Sequence, residues 1–165
     1  MNFTRKELIE TETTMNQMRN SLYSLVRFMK KNRIKDTGKI FRRMGENIAR
    51  TFIKYWQPTE IVTISNLKDV ITTIYQKVLN SSISVEINDT ENLIIVQDYK
   101  CALCKYSYDD VEVAGCEILL GMVSEFISLI SKKSNDSNSL YLEPWEIKNS
   151  RVYGDKSCIQ VFKYK

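Results

Sequence analysis

Apolar residues near the N-terminus recur with helical spacing. Leu8, Met15, Met18, Leu22, Leu25 and Met29 stand 7, 3, 4, 3 and 4 positions apart, with Thr11 in the intervening place. That is a heptad seam along a long helix over residues 4–31. The seam is shorter than an isolated coiled coil requires, so it is expected to pack on its own domain or on a second copy of the chain. The pattern breaks over residues 32–38. Ile40, Phe41, Met44, Ile48, Phe52 and Ile53 then restart a helical stripe that stops near Trp56 and Pro58, which implies a helical hairpin. A third helix is expected from Ser65 or Asn66, with Asp69 in its first turn, burying Leu67, Val70, Ile71, Ile74 and Val78.

From Ser82 the period shortens to two. Ile83, Val85 and Ile87 alternate with polar partners, residues 88–92 supply turn chemistry, and residues 93–96 return as a second strand. Asp109 with Glu112 three residues on reads as the start of a long apolar helix through Val113, Leu119, Leu120, Val123, Phe126, Ile127 and Ile130, which would place Cys116 about two turns inside it. Gly115 and Gly121 permit a close backbone approach there. Residues 131–139 read as loop. Residues 140–150 and 158–164 form a final hairpin with Gly154 and Asp155 near its turn. The order predicts an α+β fold: an antiparallel sheet of about four strands covered by helices on one side, behind an N-terminal helical hairpin. At 165 residues, with no repeat and no linker, it is expected to be one domain over 1–165, with a helical front at 1–56 and a mixed portion at 57–165.

Charge separates the same two parts. Residues 1–56 hold 13 Lys or Arg against 5 Asp or Glu, and residues 57–165 hold 11 against 15. The densest run is Arg27, Lys30, Lys31, Arg33, Lys35, Lys39, Arg42 and Arg43, broken by Asp36. It offers a surface for phosphates, but no nucleic-acid motif accompanies it, and a solvated helical surface is the simpler reading. No apolar run has the length of a membrane span, and the first residues lack a signal-peptide core, so a cytoplasmic protein is expected.

The chain has no histidine. That excludes His-based triads, zinc hydrolases of the HExxH type and His-ligated haem or iron. The five glycines form no phosphate loop. Glu143 and Glu146 flank Trp145, yet positions i and i+3 of a strand face opposite ways, which disfavours joint acid–base work. Tyr106, Tyr108, Tyr141, Tyr153 and Tyr164 read as half-buried packing residues.

The cysteines are the one constellation with chemical content. Cys101-Ala102-Leu103-Cys104 has the spacing with which two thiolates hold one tetrahedral ion from a tight turn, and Cys116 and Cys158 bring the total to four. Four thiolates would make a closed, structural zinc site. The competing readings are free core cysteines, a redox-active CxxC or disulfide pairs.

Here the chain resembles a family. The run from Cys101 to Cys104, Val113-Ala-Gly-Cys116-Glu-Ile-Leu-Leu-Gly121, Trp145-Glu146-Ile147 and Gly154-Asp155-Lys156-Ser157-Cys158-Ile159-Gln160-Val161-Phe162 resembles the vinyl-4-reductase domain. That family's pattern is a helix Cys followed by a Gly, then Glu-x-x-Cys leading to Gly-Asp-x-x-Cys-x-Phe. The likeness covers residues 36–165 as an architecture and is specific from Cys101 onward. It extends more distantly to the small subunits of the transport-protein-particle tethering complex, α+β dimers with an apolar cavity. Related modules sense aromatic compounds with a zinc ion beside the ligand pocket.

Position by position, Cys116 falls on the helix cysteine and Cys158 on the last cysteine. The middle cysteine falls on Ser150, its glutamate on Ile147 with Glu146 one place out of register, and the closing Phe on Gln160. Cys101 and Cys104 can supply the two ligands that Ser150 and Ile147 do not. The resemblance thus implies a zinc site of Cys101, Cys104, Cys116 and Cys158 in a homodimeric, non-catalytic module that takes an apolar or aromatic molecule. No residue offers a hydride-cofactor site, so reductase activity does not carry over. A nucleic-acid or protein-assembly role of the basic front, or an unrecognised reductase, is the alternative.

Overall fold

A computed structural model of the chain describes residues 4–56, 62–133 and 140–165. In chain order the elements are α1 (Arg5–Lys31), α2 (Thr37–Phe52), a short 3-10 turn, α3 (Leu67–Val78), β1 (Ile83–Asn88), β2 (Leu93–Asp98), α4 (Cys116–Lys133), β3 (Leu142–Asn149), a second 3-10 turn and β4 (Cys158–Tyr164). The strands form one antiparallel sheet in the order β1-β2-β4-β3. This is the expected α+β arrangement of four helices and an open four-stranded sheet behind a helical front.

Local chemistry sets the ends of α1. Thr4 caps it in a reciprocal box with Glu7: Glu7 N donates to Thr4 Oγ1 at 3.3 Å and Thr4 N donates to Glu7 Oε2 at 2.7 Å. At its other end Arg33 N donates to Lys30 O and Ile34 N to Met29 O, with Arg33 at φ 54°, a Schellman turn.

The seam of α1 does not stay on one face. Leu22 and Met29 are buried, whereas Leu8, Met18 and Leu25 are exposed and Met15 is half-buried. The buried stripe is Arg19, Leu22, Tyr23, Val26 and Met29. It is rotated from the heptad seam because α1 lies against residues 101–115, where its stripe meets backbone carbonyls as well as apolar side chains.

The second helix packs across α4. Gly45 faces the Ile118 carbonyl and the Met122 amide, and Gly121 faces the Arg42 carbonyl, so closely that a Cβ at either would overlap backbone. Phe41, Ala49, Met122, Val123 and Phe126 are buried in the core, which continues through α3 and the inner face of the sheet. The third helix begins as expected, after Asn66 with Asp69 in its first turn, and buries Leu67, Val70, Ile71, Ile74 and Tyr75, with Val78 half-buried.

The expected start of α4 is corrected: the helix begins at Cys116, not at Asp109, so Cys116 is its first residue and not two turns inside. Tertiary contacts override the local capping signal. Val111 and Ala114 are buried, and Gly115 N donates to the Tyr23 hydroxyl at 3.2 Å. Asp110 and Glu112 face α1 instead, in ion pairs with Arg27 and Lys30. At its far end α4 runs on through Lys133; the rest of the expected 131–139 loop, and Pro58, lie outside the described residues.

A candidate metal centre of cysteines

Three separate segments meet where α1, the start of α4 and the β3–β4 connection come together. The first is the turn of residues 101–104, closed by Cys104 N donating to Cys101 O at 3.2 Å. The second is the first residue of α4, Cys116. The third is the connection ending at Cys158, the first residue of β4. That connection is fastened by its own sequence: Ser150 N donates to Asp155 Oδ2 at 2.9 Å, Asp155 N to Ser150 O at 3.3 Å, and Gly154 turns with φ 95°. Gly-Asp before the last cysteine is therefore a turn and its clasp.

All four cysteines are fully buried and unpaired by disulfides. The Sγ atoms of Cys101, Cys104 and Cys158 lie within 4.8 Å of one another. Cys116 Sγ stands outside that tightest group, 3.7 Å from Ser150 Oγ, which is itself 3.6 Å from Cys158 Sγ. Ser150 thus sits between Cys116 and Cys158. With a zinc–sulfur bond of about 2.3 Å, a tetrahedral site has an S···S edge of about 3.8 Å, so thiols no farther apart than those three need only a small contraction onto one ion. The spacing and the all-sulfur donors suit a single thiophilic ion.

The electrostatics are those of a shared anion. Hydrogen bonds from the Cys101, Cys116 and Cys158 thiols hold the Cys104 thiol well below its ordinary pKa. The Cys116 thiol is pushed well up, chiefly by its Cys101 neighbour. Burial, then the Cys104 sulfur, holds the Tyr23 phenol far above its usual range. A thiolate is the form a metal binds.

Several residues around the centre escaped the sequence reading. Arg19 Nε donates to Ala102 O at 2.6 Å and the Tyr23 hydroxyl to Leu103 O at 2.7 Å. Arg151 N points at Cys158 Sγ at 3.5 Å. Asp98 pairs with Cys158 across the sheet and is buried; its Oδ1 accepts from Ser81 Oγ at 2.7 Å and Lys100 N at 3.0 Å, while Oδ2 has no partner among the described residues. Burial raises the pKa of its carboxyl group. The available signal was an Arg and a Tyr four apart, beside Leu22, on an otherwise apolar helix face.

Glu143 is engaged by Lys165 Nζ at 2.9 Å, and a register shift of β3 between Pro144 and Glu146 sets Glu143 opposite Lys163 and Glu146 opposite Val161, so the strict alternation expected between them is broken there. Among the described residues no helix is long and apolar enough to cross a membrane.

The fold has solved counterparts. The chain is similar to a trafficking protein particle complex subunit 3 from Naegleria fowleri, solved covalently bound to palmitic acid: the TM-score is 0.63 over 93% of this chain and 96% of that one, at 14% identity. The two chains therefore share a fold. No family model and no curated protein matches the chain.

Proposed function

We propose that the protein is a non-catalytic binding and assembly module, braced by a zinc ion on Cys101, Cys104, Cys116 and Cys158, that takes an apolar ligand. One observation carries the reading: in a chain without histidine, four buried thiols converge from three segments, three of them within 4.8 Å of one another. Free core cysteines need only apolar neighbours; these have hydroxyl and amide donors at hydrogen-bonding range of their sulfurs. Zinc held by four thiolates leaves no open position and would contribute to folding. The sequence resemblance to the vinyl-4-reductase domain, quoted from Cys101 onward, points the same way.

The ligand part of the reading is supported by the fold neighbour, whose structure holds palmitic acid. Nucleic-acid binding is disfavoured by where the front's cations go. Arg27, Lys30, Arg42 and Arg50 are paired with Asp110, Glu112, Glu117 and Glu125, all from the acidic portion.

Native mass spectrometry of the purified protein, with a thermal-shift titration of palmitate and a panel of aromatic compounds, tests this reading. One zinc per chain and a melting temperature that rises with ligand concentration are expected, because the ligand binds the folded state alone. A flat thermal shift across the whole panel contradicts the ligand part; metal-free protein contradicts the zinc part.

A further inference from the structure

The two residues between Cys101 and Cys104 have both of their carbonyls taken by one helix. Arg19 Nε donates to Ala102 O at 2.6 Å, and the Tyr23 hydroxyl donates to Leu103 O at 2.7 Å. The same Tyr23 oxygen accepts from Gly115 N at 3.2 Å and stands 3.6 Å from Cys104 Sγ. Leu103 precedes Cys104 and Gly115 precedes Cys116, so one phenol oxygen ties together the backbone leading into two cysteines that come from different segments.

We propose that Arg19 and Tyr23 are positioning residues of the metal centre, setting from α1 the directions in which Cys104 and Cys116 present their sulfurs; this rests on the zinc reading above. The Leu103 carbonyl lies in the same peptide plane as the Cys104 amide, so fixing its direction restricts the rotation that aims the Cys104 side chain. Tyr23 is 1% exposed and Arg19 4%, so neither bond is exchanged freely with water. Arg19 is held in turn by Asn16 Oδ1 at 2.8 Å and Glu12 Oε1 at 3.1 Å, and Glu12 also takes Lys105 Nζ, the residue after Cys104. The site has no room for slack there: a Cβ on Gly115 would come within 2.9 Å of the Tyr23 hydroxyl oxygen. Groups that orient metal ligands in this way typically change affinity by roughly ten- to a hundredfold when removed.

The experiment measures zinc affinity, by competition with a chelator, for the full chain and for Tyr23→Phe, Arg19→Lys and Val26→Ala, with the cobalt(II) absorption spectrum of each as a report on ligand geometry. Val26 is buried on the same face of α1 and makes no polar contact with the turn, so Val26→Ala loosens the packing of α1 without touching the carbonyls. Tyr23→Phe keeps the ring and loses only the hydroxyl; its zinc affinity should fall roughly ten- to a hundredfold with an altered cobalt spectrum. Arg19→Lys should fall in the same direction, and it decides the matter if Tyr23→Phe does not fold. Val26→Ala should melt lower yet keep wild-type affinity and spectrum. Wild-type affinity in both polar variants, or an equal loss in Val26→Ala, overturns the inference alone. A wild-type chain that takes no zinc overturns the metal-centre reading and this inference with it.

Discussion

Gln160 stands in the middle of β4 with its side chain wholly buried; its Oε1 accepts the Tyr75 hydroxyl at 2.7 Å, while its Nε2 has no partner among the described residues. A buried amide half-satisfied in this way is held by one bond, and removing that bond leaves the whole amide unpaired. Tyr75→Phe should therefore lower stability by about 1–3 kcal/mol in a denaturant melt. The double variant Tyr75→Phe with Gln160→Met should recover most of the loss, because both polar partners leave together. Strict additivity of the two substitutions would show that the pair does not interact. The sequence made Gln160 visible only as a departure from a family's phenylalanine. Its partner was not legible, since nothing local to Tyr75, 85 residues earlier, marks the contact.

Between elements, the crossing of α2 on α4 is set by two glycines facing each other's helix. In an open helix Gly to Ala gains up to about 1 kcal/mol. At Gly45 and Gly121 the added methyl would land on carbonyl oxygens of the opposing backbone, so the helices must separate and overpacking decides the sign. Gly45→Ala and Gly121→Ala should each destabilise by about 1–3 kcal/mol or more, seen as a lower melting temperature. Gly38, near the start of α2, meets only the Glu117 carboxylate end at 3.6 Å, and Gly38→Ala should be neutral or stabilising by up to about 1 kcal/mol.

The periodicities gave each of these elements its type, because burial repeats every 3.6 residues in a helix and every second residue in a strand. What they did not give was rotation and boundary. The stripe of α1 turned away from its heptad because Tyr23 and Arg19, polar-tipped and off the seam, have buried acceptors that only the fold supplies. The capping signal at Asp109 lost for a similar reason: Val111, Ala114 and the Gly115 amide have tertiary partners that a helix starting there would break. The cysteine set was legible as residue types and as one spacing. The bringing together of Cys101, Cys104 and Cys158 depends on the β2–β4 pairing and the Asp155 clasp, which no local pattern encodes.

At the scale of the molecule, the part of α1 that the core leaves outside carries large apolar side chains among its polar ones. Leu8, Met18, Leu25 and Phe28 are 55%, 52%, 37% and 58% exposed. Exposed side chains of this size and number on one helix suit an interface. We propose a homodimer through this helical front, with sedimentation giving twice the 19.3 kDa chain mass and Leu25→Glu shifting it toward monomer. A wild-type monomer at every concentration would contradict the dimer while leaving the cysteine centre untouched.

The centre itself makes the stronger demand on the fold, since the segments it joins make up much of the β3–β4 end of the molecule. If zinc holds them, Cys116→Ser should release the metal and lower stability by several kcal/mol, and chelation of the wild type should do the same. The most direct measurement is zinc-edge X-ray absorption on the purified protein. One zinc per chain surrounded by four sulfur atoms at about 2.3 Å, with no nitrogen or oxygen ligand, is expected. Metal-free protein that keeps its full thermal stability with four titratable thiols, or a zinc shell containing oxygen or nitrogen, would contradict it.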